Sequence, residues 1–288
     1  MPVIPPSSCL IRGDRAHAFR DPAVLYEDGL FHLFCTMVET EDSGDVYMYV
    51  VSMTSADLAH WTPPRILTPR DKSLNFSSPG NAVRHGDRWV LCLQTYCREN
   101  GEKYGNARCR LWRMDSADLE HWSAPRLLNV QGPDVPSEAA GRMIDPYLIR
   151  EEKSGLWHCF YKHNGIRCSV SPDLERWEPR GAVSGGENPC IVRQDGRYIL
   201  FASPKNGISV HVSNDLTHWT DTGTRLTFGQ DVWPWARGRL TAGAAIFAGG
   251  LWYMFFHGTG PEDESVFFDT YACIGAAWSE DLEHWRWK

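Results

Sequence analysis

A seven-residue signature recurs five times along this chain of 288 residues, and such a repeat limits the fold more than any other feature. Ser55-Ala56-Asp57-Leu58-Ala59-His60-Trp61 returns as Ser116 to Trp122, Ser171 to Trp177, Ser213 to Trp219 and Ser279 to Trp285. Ahead of each copy lie a short apolar run, a turn and an aromatic-rich run. The five read RDPAVLYEDGLFHLFCT, SPGNAVRHGDRWVLCLQT, IDPYLIREEKSGLWHCFYK, ENPCIVRQDGRYILFAS and TAGAAIFAGGLWYMFFHG. Asp28-Gly29, Gly86-Asp87, Asp195-Gly196 and Gly249-Gly250 are hairpin-turn pairs, because such turns need the positive φ that Gly, Asn and Asp adopt at least cost. A third alternating run, such as Val46 to Ser52, leads into the signature, and a short fourth, such as Arg65-Ile66-Leu67, follows it. The Ser and Asp of the signature suit side-chain bonds to turn amides, and its Trp suits the core of the unit.

Five four-stranded antiparallel units without helical periodicity between them predict a single all-β domain over 1–288, a five-bladed β-propeller. The fifth unit runs out at Trp287-Lys288 before a fourth strand, so the segment around Ser8 to Arg12 is expected to supply it and clasp the ring. Phe34, Trp89, Trp157 and the signature tryptophans are assigned to the core. His60, His121, His218 and His284 precede signature tryptophans and read as architectural.

The 29 Lys and Arg against 36 Asp and Glu give a formal charge of −7 with no basic run, which argues against nucleic acid as a partner. No apolar run is long enough to suggest a membrane span. The nine cysteines are an odd number without a CxxC pair, and Cys35, Cys92, Cys159 and Cys190 sit in apolar runs. They read as reduced core residues, and with no export signal in MPVIPPSSCL the expected location is cytoplasmic; a removed signal peptide would make it secreted. Oligomeric state is not legible.

In a propeller whose first strands are innermost, the starts of those strands converge at one mouth of the central channel. They are Asp21 before Pro22, Ser78 to Asn81 around Pro79, Asp145 before Pro146, Glu187 before Asn188-Pro189, and Arg239 to Thr241. An Asp before Pro is a common turn opener. Three acids at matching places in three repeats are harder to explain so, since gathering like charges costs stability unless protons or a ligand offset it.

With its RDP, IDP and ENP trio, the chain resembles the five-bladed propeller glycosidases, most closely glycoside hydrolase family 43, and more distantly families 32, 68 and 117. The resemblance implies Asp21 as general base, Asp145 as the residue that orients the acid and raises its pKa, and Glu187 as general acid. It implies hydrolysis of a pentose-containing glycan with inversion. Glu187-Asn188-Pro189 stands where family 43 commonly has Glu-Gly-Pro. The alternatives are a retaining fructan hydrolase of the family 32 kind and a sugar-binding propeller without catalysis.

Arg20, Asn81 and Arg239 flank the expected mouth as sugar-binding candidates, the two arginines equally as partners that neutralise the acids. Trp233 and Trp235 would either stack on sugar rings or pack between blades. His257 ends the second strand of the fifth unit, where family 43 often aims a histidine into the channel. No cofactor is required, and a structural cation held near His257 is compatible with this pattern, although no calcium loop accompanies it. Arg98 to Asn106, Gln131 to Gly141 and Pro261 to Phe268 are expected to shape the pocket.

Overall fold

Each repeat folds into one sheet whose strands pair antiparallel in chain order, in a computed structural model that describes residues 2–183, 185–260 and 269–287. Blade 1 runs His17–Glu27, Leu30–Thr40, Val46–Ser55 and Arg65–Ile66. Blade 3 runs Ile144–Arg150, Trp157–Lys162, Ile166–Ser171 and Glu178–Val183. Blade 4 runs Glu187–Gln194, Arg197–Ser203, Ile208–Ser213 and Thr220–Leu226. In blade 2 the inner strand is broken into Phe76–Ser77 and Ala82–His85, both paired with Arg88–Thr95, and Leu111–Ser116 and Arg126–Leu127 follow. The hairpins turn where positive φ is available, at Asp28-Gly29, Asp195-Gly196 and Gly249-Gly250.

Blade 5 comprises Arg239–Ala248, Leu251–Thr259 and Cys273–Ser279. The N-terminal strand Cys9–Ile11 pairs with Cys273–Ser279, so the two ends of the chain close the ring as the truncated fifth repeat predicts. Trp285–Arg286 occupies the other end of the same edge. All nine cysteines are buried thiols, outside any disulfide.

The signature makes the same turn five times. Its Ser hydroxyl accepts the Asp amide at 3.1–3.3 Å, and the Asp carboxylate accepts the next two free amides at 2.7–3.0 Å. The second carboxylate oxygen holds the His Nδ1 at 2.8 Å in four copies and the Arg176 Nε in the third. These bonds hold Leu58, Leu119, Leu174, Leu216 and Leu282 at φ of 60–64°, a conformation an L-residue adopts only when its surroundings over-determine it. Each Leu is buried, and its carbonyl accepts the indole N–H of the signature Trp.

Apolar packing lies between the blades. Five clusters of buried side chains each join two neighbours, for example Phe34 and Val50 of blade 1 against Leu91 and Leu93 of blade 2. A ring of sheets thus buries both faces of every blade and leaves the inner strand ends around one axis.

Candidate active site

The inner strands carry one irregularity at their mouth ends. Asp21, Ser78, Asp145, Asn188 and Ala242 all have φ between 40 and 55°, and in four blades an extra residue bulges the ladder at that point. The bulge re-aims side chains into the channel, a use to which such bulges are often put beside active sites. It also shows that the three acids are not in equivalent places, contrary to the sequence reading. Asp21 and Asp145 occupy the kinked position; Glu187 stands one residue earlier, in line with Arg20, Ser77, Ile144 and Thr241. Asp21 and Asp145 therefore line the narrow channel below as well as the cavity, whereas Glu187 lines the cavity alone.

That cavity has a volume of about 480 Å³ and opens at one end of the ring. All three predicted acids border it, together with Arg20, Arg239 and His257. Sequence reasoning missed Lys162, Arg142, Lys103, Tyr96 and Tyr104, which share its wall. From the loop Arg98 to Asn106 come Lys103, Tyr104 and Gly105. The stretch Gln131 to Gly141 does not reach the cavity, though Arg142 next to it does. Pro261 to Phe268 lie outside the described residues.

A second regularity explains several roles at once. The residue across the ladder from each bulge is Thr36, Gln94, Lys162, Ser203 or His257. In four blades this side chain accepts the kinked amide of the next blade: Thr36 from Ser78 at 2.7 Å, Gln94 from Asp145 at 2.5 Å, Ser203 from Ala242 at 2.8 Å, and His257 Nδ1 from Asp21 at 3.0 Å. Blade 3 breaks the rule, because the Lys162 ammonium has no lone pair to offer. The Asn188 amide turns instead to the Asp145 carboxylate at 3.4 Å, and Lys162 pairs with Glu187. The signal was present in the sequence at the end of each aromatic-rich run, as its last residue in Thr36, Lys162 and Ser203 and its next-to-last in Gln94 and His257.

This ring also fixes the state of His257. Its Nδ1 accepts an amide hydrogen, burial lowers its pKa to about 3, and the ring is neutral with its proton on Nε2. The Asp21 carboxylate 3.5 Å from Nδ1 is thus a neighbour and not an ion-pair partner. A neutral His257 of this tautomer has no lone pair left for a cation, so the residue does not fit the metal-ligand role. Among the described residues no group of three or more His, Cys, Asp or Glu is placed to hold a metal ion.

The three carboxyls sit in contrasting fields. Burial alone would raise Asp21, but the Arg20 charge and the Ser78 and Thr36 hydroxyls bring it below its ordinary value; Thr36 donates to Oδ2 at 3.0 Å. Burial raises Asp145 to about 7, helped by the negative charges of Glu187 and Asp21 and opposed by Lys162. Burial also presses on Glu187, yet the Lys162 ammonium and the Arg239 guanidinium, at 2.8 Å, hold it below its usual range. The expectation that Asp145 lifts Glu187 is not met: two cations hold Glu187 down, and Asp145 is the carboxyl that burial and its acidic neighbours push up.

Three sugar-binding candidates take other places. The Asn81 amide reaches across to blade 3, accepting the Leu148 amide at 2.9 Å and donating to the Leu148 carbonyl at 2.7 Å, as a strand neighbour would. Trp233 and Trp235 stack on each other and on Phe256 with centroids 5.3–6.0 Å apart, which is the packing alternative. Trp235 lies so close to Gly258 and Gly275 that a Cβ at either would sit within 2.9 Å of its ring. Arg20 and Arg239 remain at the cavity, Arg20 also 3.9 Å from buried Asp269.

Solved structures share this architecture at low sequence identity. The chain is 17% identical to exo-1,5-α-L-arabinanase from a bovine ruminal metagenomic library over 96% of each chain, with a TM-score of 0.63. It is 12% identical to the GH43_1 enzyme from Xanthomonas citri complexed with xylotriose, over 95% of this chain and 89% of that one, with a TM-score of 0.63. The α-L-arabinofuranosidase from Podospora anserina in complex with cellotriose is 15% identical over 94% of each chain, with a TM-score of 0.68. No protein-family model and no curated protein sequence matches the chain. The likeness therefore rests on the fold: this chain is a five-bladed β-propeller built like those glycoside hydrolases.

Proposed function

We propose that this protein is a glycosidase that cleaves a pentose-containing glycan by acid and base catalysis with inversion. The observation that carries the reading is one cavity bordered by Asp21, whose pKa is held low, and by Asp145, whose pKa is pushed up, with Glu187 on the same wall. Hydrolysis of an acetal needs those two states together, a base for water and an acid for the leaving oxygen. Asp21 takes the proton from water as it attacks the anomeric carbon. Glu187, nearer the open end, delivers a proton to the leaving oxygen. For this, a bound sugar has to draw Lys162 off Glu187, which frees that carboxylate to take up the proton it delivers. Ser77 Oγ and Thr241 Oγ1 are buried at the cavity without partners and suit sugar hydroxyls. The pentose and the inversion come from the family 43 resemblance; the arabinanase, arabinofuranosidase and xylotriose-bound neighbours agree with the pentose.

The grip on Glu187 favours one other reading, a sugar-binding propeller without turnover. A screen of aryl pentosides and fructosides separates the two. Wild type should hydrolyse a pentoside with the inverted anomer first in proton NMR, and Glu187→Gln should lose about 10²–10⁴-fold of the rate. Sugar binding without turnover of any substrate would establish the binding module, and a retained anomer would establish a double-displacement route.

A further inference from the structure

We propose that the glycan taken by this site carries an anionic group, a carboxylate or a sulfate, which Arg142 and Lys103 recognise. The inference rests on the carbohydrate reading above and names the kind of carbohydrate. Its first ground is charge. Arg20, Lys103, Arg142, Lys162 and Arg239 border the cavity against only three carboxylates, in a chain whose formal charge is −7. A concave site with a surplus of one sign concentrates ligands of the other sign. A neutral pentose chain would leave that surplus unmatched.

The second ground is that the surplus has an address. Lys162 and Arg239 are engaged with Glu187, and Arg20 with Asp269. Arg142 and Lys103 have no carboxylate partner among the described residues. The Arg142 Nε is moreover buried without any hydrogen-bond partner. Its guanidinium lies 5.8 Å from the Tyr96 ring, a cavity residue, while His163 Nδ1 and the Arg142 carbonyl, 2.9 Å apart, anchor its backbone. A buried unpaired guanidinium N–H is costly unless a ligand accepts from it. The planar fork of Arg suits two oxygens of one carboxylate or sulfate, and the mobile ammonium of Lys103 adds a point charge from the exposed loop above.

Binding is measured by calorimetry at low salt with D-galacturonate, D-glucuronate and galactose 6-sulfate, against galactose, glucose, arabinose and xylose. At least one anionic sugar should bind tenfold or more tightly than its neutral parent, and the advantage should shrink as salt rises. The uronates and the sulfate ester tell carboxylate from sulfate. Arg142→Gln and, separately, Lys103→Gln should each cut the advantage severalfold, weakening the anionic sugar more than its neutral parent; Lys103→Gln, in the loop, serves should Arg142→Gln fail to fold. Equal affinity for charged and neutral sugars, no binding of any anionic probe, or a preference untouched by both variants would overturn the proposal. The catalytic reading fails differently, by the absence of hydrolysis with anion-dependent binding intact.

Discussion

Replacing Lys162 by Met tests the electrostatics of the site most directly. Lys162 is the one cationic side chain in a ring position that otherwise holds acceptors, and it lies against Glu187. A unit charge about 4 Å from a carboxylate contributes roughly 4 kcal/mol at an effective dielectric near 20. Both side chains keep about a quarter of their exposure, 29% and 24%, so water competes for the pair. A net effect of about 1.5–3 kcal/mol is expected, which at about 1.4 kcal/mol per unit raises the acid by one to two pKa units. The sign is the same for either carboxyl, since Lys162 opposes protonation of Asp145 as well. The assay is the pH profile of kcat/KM, whose alkaline limb reports the free protein's essential acid. In Lys162→Met that limb should move up by one to two pH units, and in Lys162→Arg it should stay. A limb that stays or moves down in the Met variant would refute the assignment of the proton to this pair, because loss of a neighbouring cation can only strengthen its hold.

Two further outcomes concern stability. Asn81→Ala leaves the amide and carbonyl of buried Leu148 without partners, so it should cost about 2–4 kcal/mol in urea unfolding; a loss under about 1 kcal/mol would show that Asn81 is not a clamp between blades 2 and 3. Asp145 has its folded pKa raised from 3.8 to about 7, so its favourable contribution is complete below pH about 4 and is lost as pH rises through about 7. Asp145→Asn removes that loss while keeping an oxygen for the Asn188 amide. Its melting temperature relative to wild type should therefore climb from pH 4 to pH 8, and a constant difference across that range would contradict the raised value.

Local chemistry announced itself in the sequence. Ser-x-Asp-Leu bonds its own turn, Asp-Gly and Gly-Gly reverse a hairpin, and a missing last strand implies another segment to replace it. All of these depend on residues within a few positions or on counting, and the turns, the blades and the closure by Cys9–Ile11 follow. The gathering of Asp21, Asp145 and Glu187 around one cavity was legible for the same reason, since radial repetition brings strand starts together.

What a side chain meets after it leaves the backbone was not legible. A one-residue bulge puts Glu187 out of step with Asp21 and Asp145, and only the ladder across to Ser203 reveals it. Asn81 turns to a strand 67 residues away, Trp235 fills the room left by Gly258 and Gly275, and Lys162 meets Glu187 because its four counterparts accept an amide and it cannot. The chain alone determined the repeating unit and hence the ring, because short-range dihedral and turn preferences are properties of neighbouring residues. The packing of one blade on the next decided which groups carry charge, which are spent on structure and where the proton rests, because burial and through-space fields exist only once distant segments share a surface.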